Sequence, residues 1–209
     1  MTVLPSAFID NVDALRRVYA QPVKGAAGKE IGHLHAHFCR FIERSPFVCI
    51  STMSAEGRAD VSPRGGEAGF VHVLDEAHLA IPDRPGNNRL DSLVNIIANP
   101  SVGLLFFIPG FEDMLRVNGT ARITTDATLM ARFVANGRPP ASVILIEVNE
   151  AQTHCAKAIK RAGLWNPETF ADRRSFPTTG QILKDVLATE TPVEAIDAMV
   201  EKDARERLY

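Results

Sequence analysis

The feature that most constrains this chain is a change of period at Pro46. From there to Glu150 the apolar residues fall into seven short β-like segments: "FVCISTMS", "RADVSPRGG", "GFVHVLD", "HLAIPD", "VGLLFFIPG", "MLRVNGTARI" and "SVILIEVNE". The turn signal "AEG" at Ala55 to Gly57 makes the first two a hairpin. Two short helical stretches interrupt the series. One is "NRLDSLVNIIANP", with Leu90, Leu93, Ile96 and Ile97 at helical spacing and a stop at Asn99-Pro100; the other is "DATLMARFVANG", closed by Asn136-Gly137. Many short strands with few helices predict a closed or nearly closed antiparallel barrel.

The flanks read differently. Ile9, Val12, Leu15, Val18 and Tyr19 predict a first helix, capped by Asp10 or Asn11 and broken by "QPVKGAAG". A second is expected over "KEIGHLHAHFCRFIERS", where His33, His35 and His37 alternate and do not share one helix face. These three therefore read as partly exposed helix residues and not as a metal site. After Glu150 the pattern returns to helix in "AQTHCAKAIKRAGLW", "QILKDVLATE" and "PVEAIDAMVEKDARERLY". The expected organisation is a single domain over 1–209: N-terminal helices (1–45), a barrel (46–150) and a helical tail (151–209).

Composition narrows the function classes. With 209 residues, 45% of them hydrophobic, the chain can bury one good core. A net charge of -2 gives nucleic-acid binding no electrostatic support. No apolar run reaches membrane-spanning length and the start "MTVLPSAFIDNVDALRR" carries no signal-peptide core, so a cytoplasmic protein with no membrane partner is expected. Cys39, Cys49 and Cys155 form no CxxC pair, which argues against a disulfide framework or a zinc site. GxSxG, HExxH, P-loop and GxGxxG patterns are absent, so nucleophilic hydrolysis, zinc proteolysis and Rossmann binding lack support.

Three stretches carry candidate chemistry. "IPDRPGNNRLDSL", Ile81 to Leu93, crowds Arg, Asn, Pro and Gly between a strand and a helix start. Helix N-termini offer unpaired N–H groups and a positive dipole end, Arg binds phosphate oxygens in a fork, and Gly86 admits close backbone approach. Equally, Asn87 or Asn88 serves as a plain N-cap and Arg84 and Arg89 are solvated. In "DVSPRGGEAGF", Pro63 denies a ladder hydrogen bond, so the backbone is edge-like, and Arg64 either converges on the same anion or is exposed at a hairpin end. In "MLRVNGTARI", Arg116 sits among apolar neighbours and needs an anionic partner, whether a ligand or an acid such as Glu112 or Asp113.

Together, Ser62-Pro63-Arg64, the "DRPGNNRLDSL" loop, Asn99-Pro100, Leu104-Leu105-Phe106 and Leu115-Arg116-Val117-Asn118-Gly119 resemble the pyridoxamine 5'-phosphate oxidase family of FMN-binding split-barrel proteins. Within it, "HCAKAIKRAGLWNP" (His154 to Pro167) is similar to a subgroup of FMN-dependent members, and the likeness covers roughly residues 30 to 209. The resemblance implies a mainly β fold with helices, an antiparallel Greek-key split barrel, and FMN held at a homodimer interface. Arg64 would bind phosphate, and Val61, Ser62 and Pro63 would border the isoalloxazine through their backbone. Pro82 and Asp83 would lie beside the flavin or ribityl chain, and Asn87, Asn88 and Arg89 would form the phosphate-binding turn. Asn88 stands where a basic residue is expected, which weakens one charge contact. Arg116 would help shape the site, from this chain or a partner subunit.

The oxidase proper ends in a "WxxYRxxP"-like motif that contacts pyridoxal phosphate. This chain ends in "EKDARERLY", so vitamin B6 oxidation is not implied. Lys157, Arg161 and Trp165 are substrate-side candidates instead, 157 and 161 standing at i and i+4 with Trp165 continuing that face. The competing reading is a helix packed through Ile159, Leu164 and Trp165. The expected activity is FMN-dependent oxidoreduction of an unknown small molecule; the alternative is a non-catalytic flavin- or haem-binding carrier or sensor. Flavin chemistry compels no acid or base, and none is assigned among His72, His78 and His154.

Overall fold

The computed structural model describes residues 7–22, 25 and 28–207. Part of the expected break at 21–28, and the last two residues of the expected final helix, lie outside them. Seven strands form one sheet: β1 (Phe47–Met53), β2 (Ala59–Gly65), β3 (His72–Val73), β4 (His78–Asp83), β5 (Ser101–Phe107), β6 (Met114–Thr124) and β7 (Ser142–His154). Every pairing is antiparallel, in the order β2-β1-β5-β6-β7-β4-β3. Strands β5, β6 and β7 run consecutively, and β4 returns beside β7, which is a Greek key. The sheet is not closed by strand pairing. β2 and β3 are its edges, and the barrel expected from the strand pattern stays split between them.

Alternation along the strands makes one side of the sheet the core. Val48 and Ile50 of β1, Leu104 and Phe106 of β5, Leu115 and Val117 of β6, and Ile144 and Ile146 of β7 are all buried in one cluster. Helix α2 (Ala36–Arg44) adds Ile42 to it, with Phe38 and Phe41 packed against it. Burying each such side chain contributes roughly 1.5–3 kcal/mol. α1 (Val12–Val18), capped by Asn11, buries nothing. The remaining α-helices among the described residues are α3 (Asp91–Ala98), α4 (Ala127–Ala131), α5 (Lys157–Ala162), α6 (Thr179–Leu187) and α7 (Val193–Glu206).

Two expected helices are shorter than their patterns suggest. Residues 29–35 are not helical: Ile31 bridges Ala151, and the Leu34 N–H donates to Glu76 O at 2.7 Å, so α2 starts only after His35. Past Glu150 the chain stays in β7 through His154, because long strand β6 offers partners up to Met114. The β6–β7 ladder carries a bulge at Asn118/Gly119, where the backbones approach so closely that a Cβ on Gly119 would strike Glu147 O.

Candidate functional site

The split between the sheet edges holds a recess of about 300 Å³. Four pieces of chain build it: the outer edge of β2, the end of β4 with the loop after it, the first turn of α3, and Ala141 just before β7. Val61, Ser62, Pro63, Arg64, Asp83, Asn87, Asn88 and Arg89 all line it, and buried Pro82 immediately precedes Asp83 in β4. Gly66 N–H donates to Pro46 O, which sets the parity of the β1–β2 ladder: Val61 and Pro63 face Ser51 and Cys49 in pairs that exchange no hydrogen bonds. The Val61 N–H and the Val61 and Pro63 carbonyls are therefore directed to the open edge.

The loop is strained. Asn88 and Leu90 both adopt left-handed backbone, at φ 57 and φ 61. A left-handed Leu costs about 1–2 kcal/mol, and such outliers cluster where a ligand is held. Neither Asn caps α3: the Asn87 side chain accepts from Arg89 N at 3.1 Å, and Leu90 occupies the N-cap with no side-chain bond. The first amides of α3 consequently have no side-chain acceptor, and Leu90 to Leu93 line the recess.

Along one wall of the recess, a polar network fixes this turn. Ser92 Oγ donates to Asp60 Oδ2 at 3.0 Å, Thr52 Oγ1 to the same oxygen at 3.4 Å, and Asn95 Nδ2 to Thr52 Oγ1 at 3.0 Å. From the far end of the chain, Arg207 Nη2 donates to Gly86 O at 2.9 Å.

Three guanidinium groups and three carboxylates line the recess. Arg89 is exposed and engages Asp91 at 2.8 Å. Asp60 is occupied by Ser92 and Thr52. Arg84 Nη2 donates to Phe133 O at 2.8 Å. Arg64 Nη1 donates to Ser62 Oγ at 2.9 Å, while its Nε is buried with no hydrogen-bond partner among the described residues. Burial holds the Asp83 carboxyl above the usual carboxylate range, against the opposing pull of Arg64. Among the described residues of the recess, the buried side-chain atom left without a partner is Arg64 Nε, and no side chain caps α3.

The other candidates lie elsewhere. Arg116 does not line the recess; its Nη2 engages Glu150 at 2.8 Å and Glu30 at 3.2 Å, and its Nε is also buried without a partner among the described residues. Its anion is thus a pair of acids, though neither Glu112 nor Asp113. Lys157, Arg161 and Trp165 do not line the recess either. They also fail to share a helix face: α5 ends at Ala162, with Gly163 at φ 58 turning the chain away, so Trp165 does not continue the Lys157–Arg161 face. Arg161 Nε donates to Lys157 O at 3.1 Å, and Trp165 Nε1 to Phe111 O at 2.7 Å, which fastens the tail to the β5–β6 turn beside the Lys160–Glu112 ion pair at 3.1 Å.

The family model described as pyridoxamine 5'-phosphate oxidase matches residues 34–155, more than half of the chain and all seven strands. The chain belongs to the pyridoxamine 5'-phosphate oxidase family. No curated protein matches it. Among solved structures, a histidine-to-alanine variant of Group A Streptococcus HupZ is 16% identical at a TM-score of 0.49, covering 58% of this chain and 99% of its own. A putative pyridoxamine 5'-phosphate oxidase from Lactobacillus delbrueckii is 20% identical at 0.45, covering 58% and 98%. A FAD-binding protein from Mesorhizobium loti is 17% identical at 0.39, covering 58% and 94%.

The recess gathers donors suited to an anion: Arg64, the uncapped amides of α3, and the Asn87-Asn88-Arg89 turn. Two features of it escape the sequence. Asp60, Ser92 and Asn95 hold the turn in place; Ser92 and Asn95 are visibly three apart on one helix face, but nothing in the sequence pairs them with Asp60 and Thr52. Arg207 reads only as part of an outward-facing tail.

Proposed function

We propose that this recess binds the phosphate of FMN and that the chain is an FMN-dependent oxidoreductase acting on a small molecule. The observation that carries this is the buried, unpartnered Arg64 Nε beside an α3 N-terminus that no side chain caps. A buried polar donor left unsatisfied costs about 1–3 kcal/mol, and a phosphate oxygen removes that cost. Arg64 and the α3 amides would hold the phosphate, with Arg89 and Asn87 at its rim. The outward backbone of Val61 and Pro63 would border the ring. When bound, FMN supplies transfer of an electron pair at that ring.

We further propose that the chain works as a homodimer, the second copy covering the open side of the recess. The test of the function is the visible spectrum of protein mixed with FMN and freed of excess by gel filtration. A retained two-band flavin spectrum at about one flavin per chain supports the reading, and colourless protein overturns it. Loaded protein that oxidises NADH or NADPH is an oxidoreductase. Loaded protein inert to every common reductant is a carrier or sensor instead. Sedimentation of the same sample reads the dimer.

A further inference from the structure

The loop between β4 and α3 carries strain with little backbone support. Among the described residues, Pro85 to Arg89 make no main-chain to main-chain hydrogen bond. Left-handed backbone at Asn88 and Leu90 persists only where the surrounding structure over-determines it. One hold is internal, from the Asn87 side chain to Arg89 N. Another comes from 121 residues further along the chain, where Arg207 Nη2 donates to Gly86 O at 2.9 Å.

Arg207 is itself aimed. Its Nη1 donates to Asp203 Oδ1 at 3.0 Å, one turn back on α7, and its backbone N–H donates to Asp203 O. α7 is fastened to α6 in turn: Gly180 N–H donates to Asp197 Oδ1 at 2.7 Å, and Ile196 is buried. Both helices lie outside residues 34–155, the span of the family match, so this hold comes from beyond the part the family shares.

Gly86 and Asn87 line the recess, and Arg207 does not. The peptide joining them is planar and trans, so its C=O and N–H point in opposite directions. With the carbonyl taken by a group outside the lining, the Asn87 N–H is turned the other way, and it makes no hydrogen bond among the described residues. Gly86 supplies no steric lock, since a Cβ there would meet nothing within 4 Å. Rotation of this one peptide would exchange a donor for an acceptor, and backbone donors are what an anion needs. Resting on the FMN reading of the recess, we infer that Arg207 is a positioning residue for the phosphate: it holds the Gly86 carbonyl outward, so that the recess offers the Asn87 N–H. No covalent bond is made or broken; the tail sets which end of one peptide the anion meets.

Flavin fluorescence quenching on the full chain tests it, on the unaltered protein, Arg207→Ala and Arg207→Lys, with the Asn87 amide proton followed by NMR. Arg207 is exposed, so neither variant endangers folding. Arg207→Ala should weaken FMN binding about 3- to 10-fold, as loss of one hydrogen bond gives. Arg207→Lys, which keeps a donor of similar reach, should recover most of that loss. The ratio of the unaltered and Arg207→Ala affinities should persist at about 1 M salt, where the Debye length is about 3 Å, because a hydrogen bond and not long-range charge sets it. FMN should shift the Asn87 amide downfield in the unaltered protein, and less in Arg207→Ala. Equal FMN affinity in Arg207→Ala overturns the inference and leaves the FMN reading intact. So does a deficit that vanishes in high salt, or an Asn87 amide that FMN does not move. Unaltered protein that binds no FMN overturns both readings.

Discussion

Ser92 Oγ donates to Asp60 Oδ2 at 3.0 Å, and through this bond the first turn of α3 is tied to the edge strand β2. The two walls of the recess are therefore held together by a contact within its own lining. Ser92→Ala removes a hydrogen bond to a charged acceptor, worth about 1.5–3 kcal/mol. The expected result in urea unfolding is a lower midpoint with an unchanged slope, together with weaker FMN binding. Full stability with weakened binding would place Ser92 in the ligand contact itself.

Arg64 and Arg89 differ in what already surrounds them. Arg89 is neutralised by Asp91 at 2.8 Å, whereas Arg64 has an unpartnered nitrogen. Arg64→Ala should cost about 1.5–3 kcal/mol of FMN affinity, and Arg89→Ala about 0.5–1.5 kcal/mol. A single phosphate shared by both gives non-additive losses in the double variant. Additive losses measured by flavin fluorescence quenching would separate them into two sites.

Asp83 sets a pH dependence. Its native carboxyl is held above the ordinary value of 3.8 by burial, so the native state keeps this proton to higher pH than the unfolded chain does. Stability from this group therefore falls as pH rises from 3.8 toward the native value, and the deficit persists above it. Asp83→Asn lacks that deficit. Its melting temperature should exceed that of the unaltered protein at pH 7, and the two should converge toward pH 3. Its FMN affinity at pH 7 should rise, because a carboxylate no longer opposes the phosphate.

Trp165 is an anchor in this structure. Trp165→Phe loses the bond to Phe111 O but keeps the ring, at about 0.5–1.5 kcal/mol of stability. Flavin affinity should not change, since Trp165 does not line the recess. Loss of flavin in this variant would mean that the tail reaches the cofactor pocket of the partner subunit.

How far the sequence carries can be judged from individual positions. The β-rich middle is legible because Val48, Ile50, Leu104, Phe106, Ile144 and Ile146 alternate with a period of two, and local pattern dictates local structure. The recess loop is legible because Gly86, the Asn pair and Arg89 sit where a strand gives way to a helix. Arg116 is legible as needing an anion, but Glu30 and Glu150 are brought to it only by the tertiary fold. The expectation of helix from 151 fails because Ala151 to His154 carry no strong preference, and pairing with β6 decides them. The expectation for Trp165 fails because a helical spacing does not reveal that Gly163 stops the helix.

The parity of the β1–β2 ladder has a last consequence, for self-association. Pro63 lies in a pair without hydrogen bonds, so its missing N–H belongs to the outward side of β2. On that side the strand can donate from Ala59, Val61 and Gly65, with a gap at Pro63. A row of donors interrupted by a proline is a poor template for a strand from another molecule. The edge that leaves its backbone bare for a ligand is thereby protected against growing into an intermolecular sheet, and aggregation through β2 is resisted by the same proline that shapes the recess.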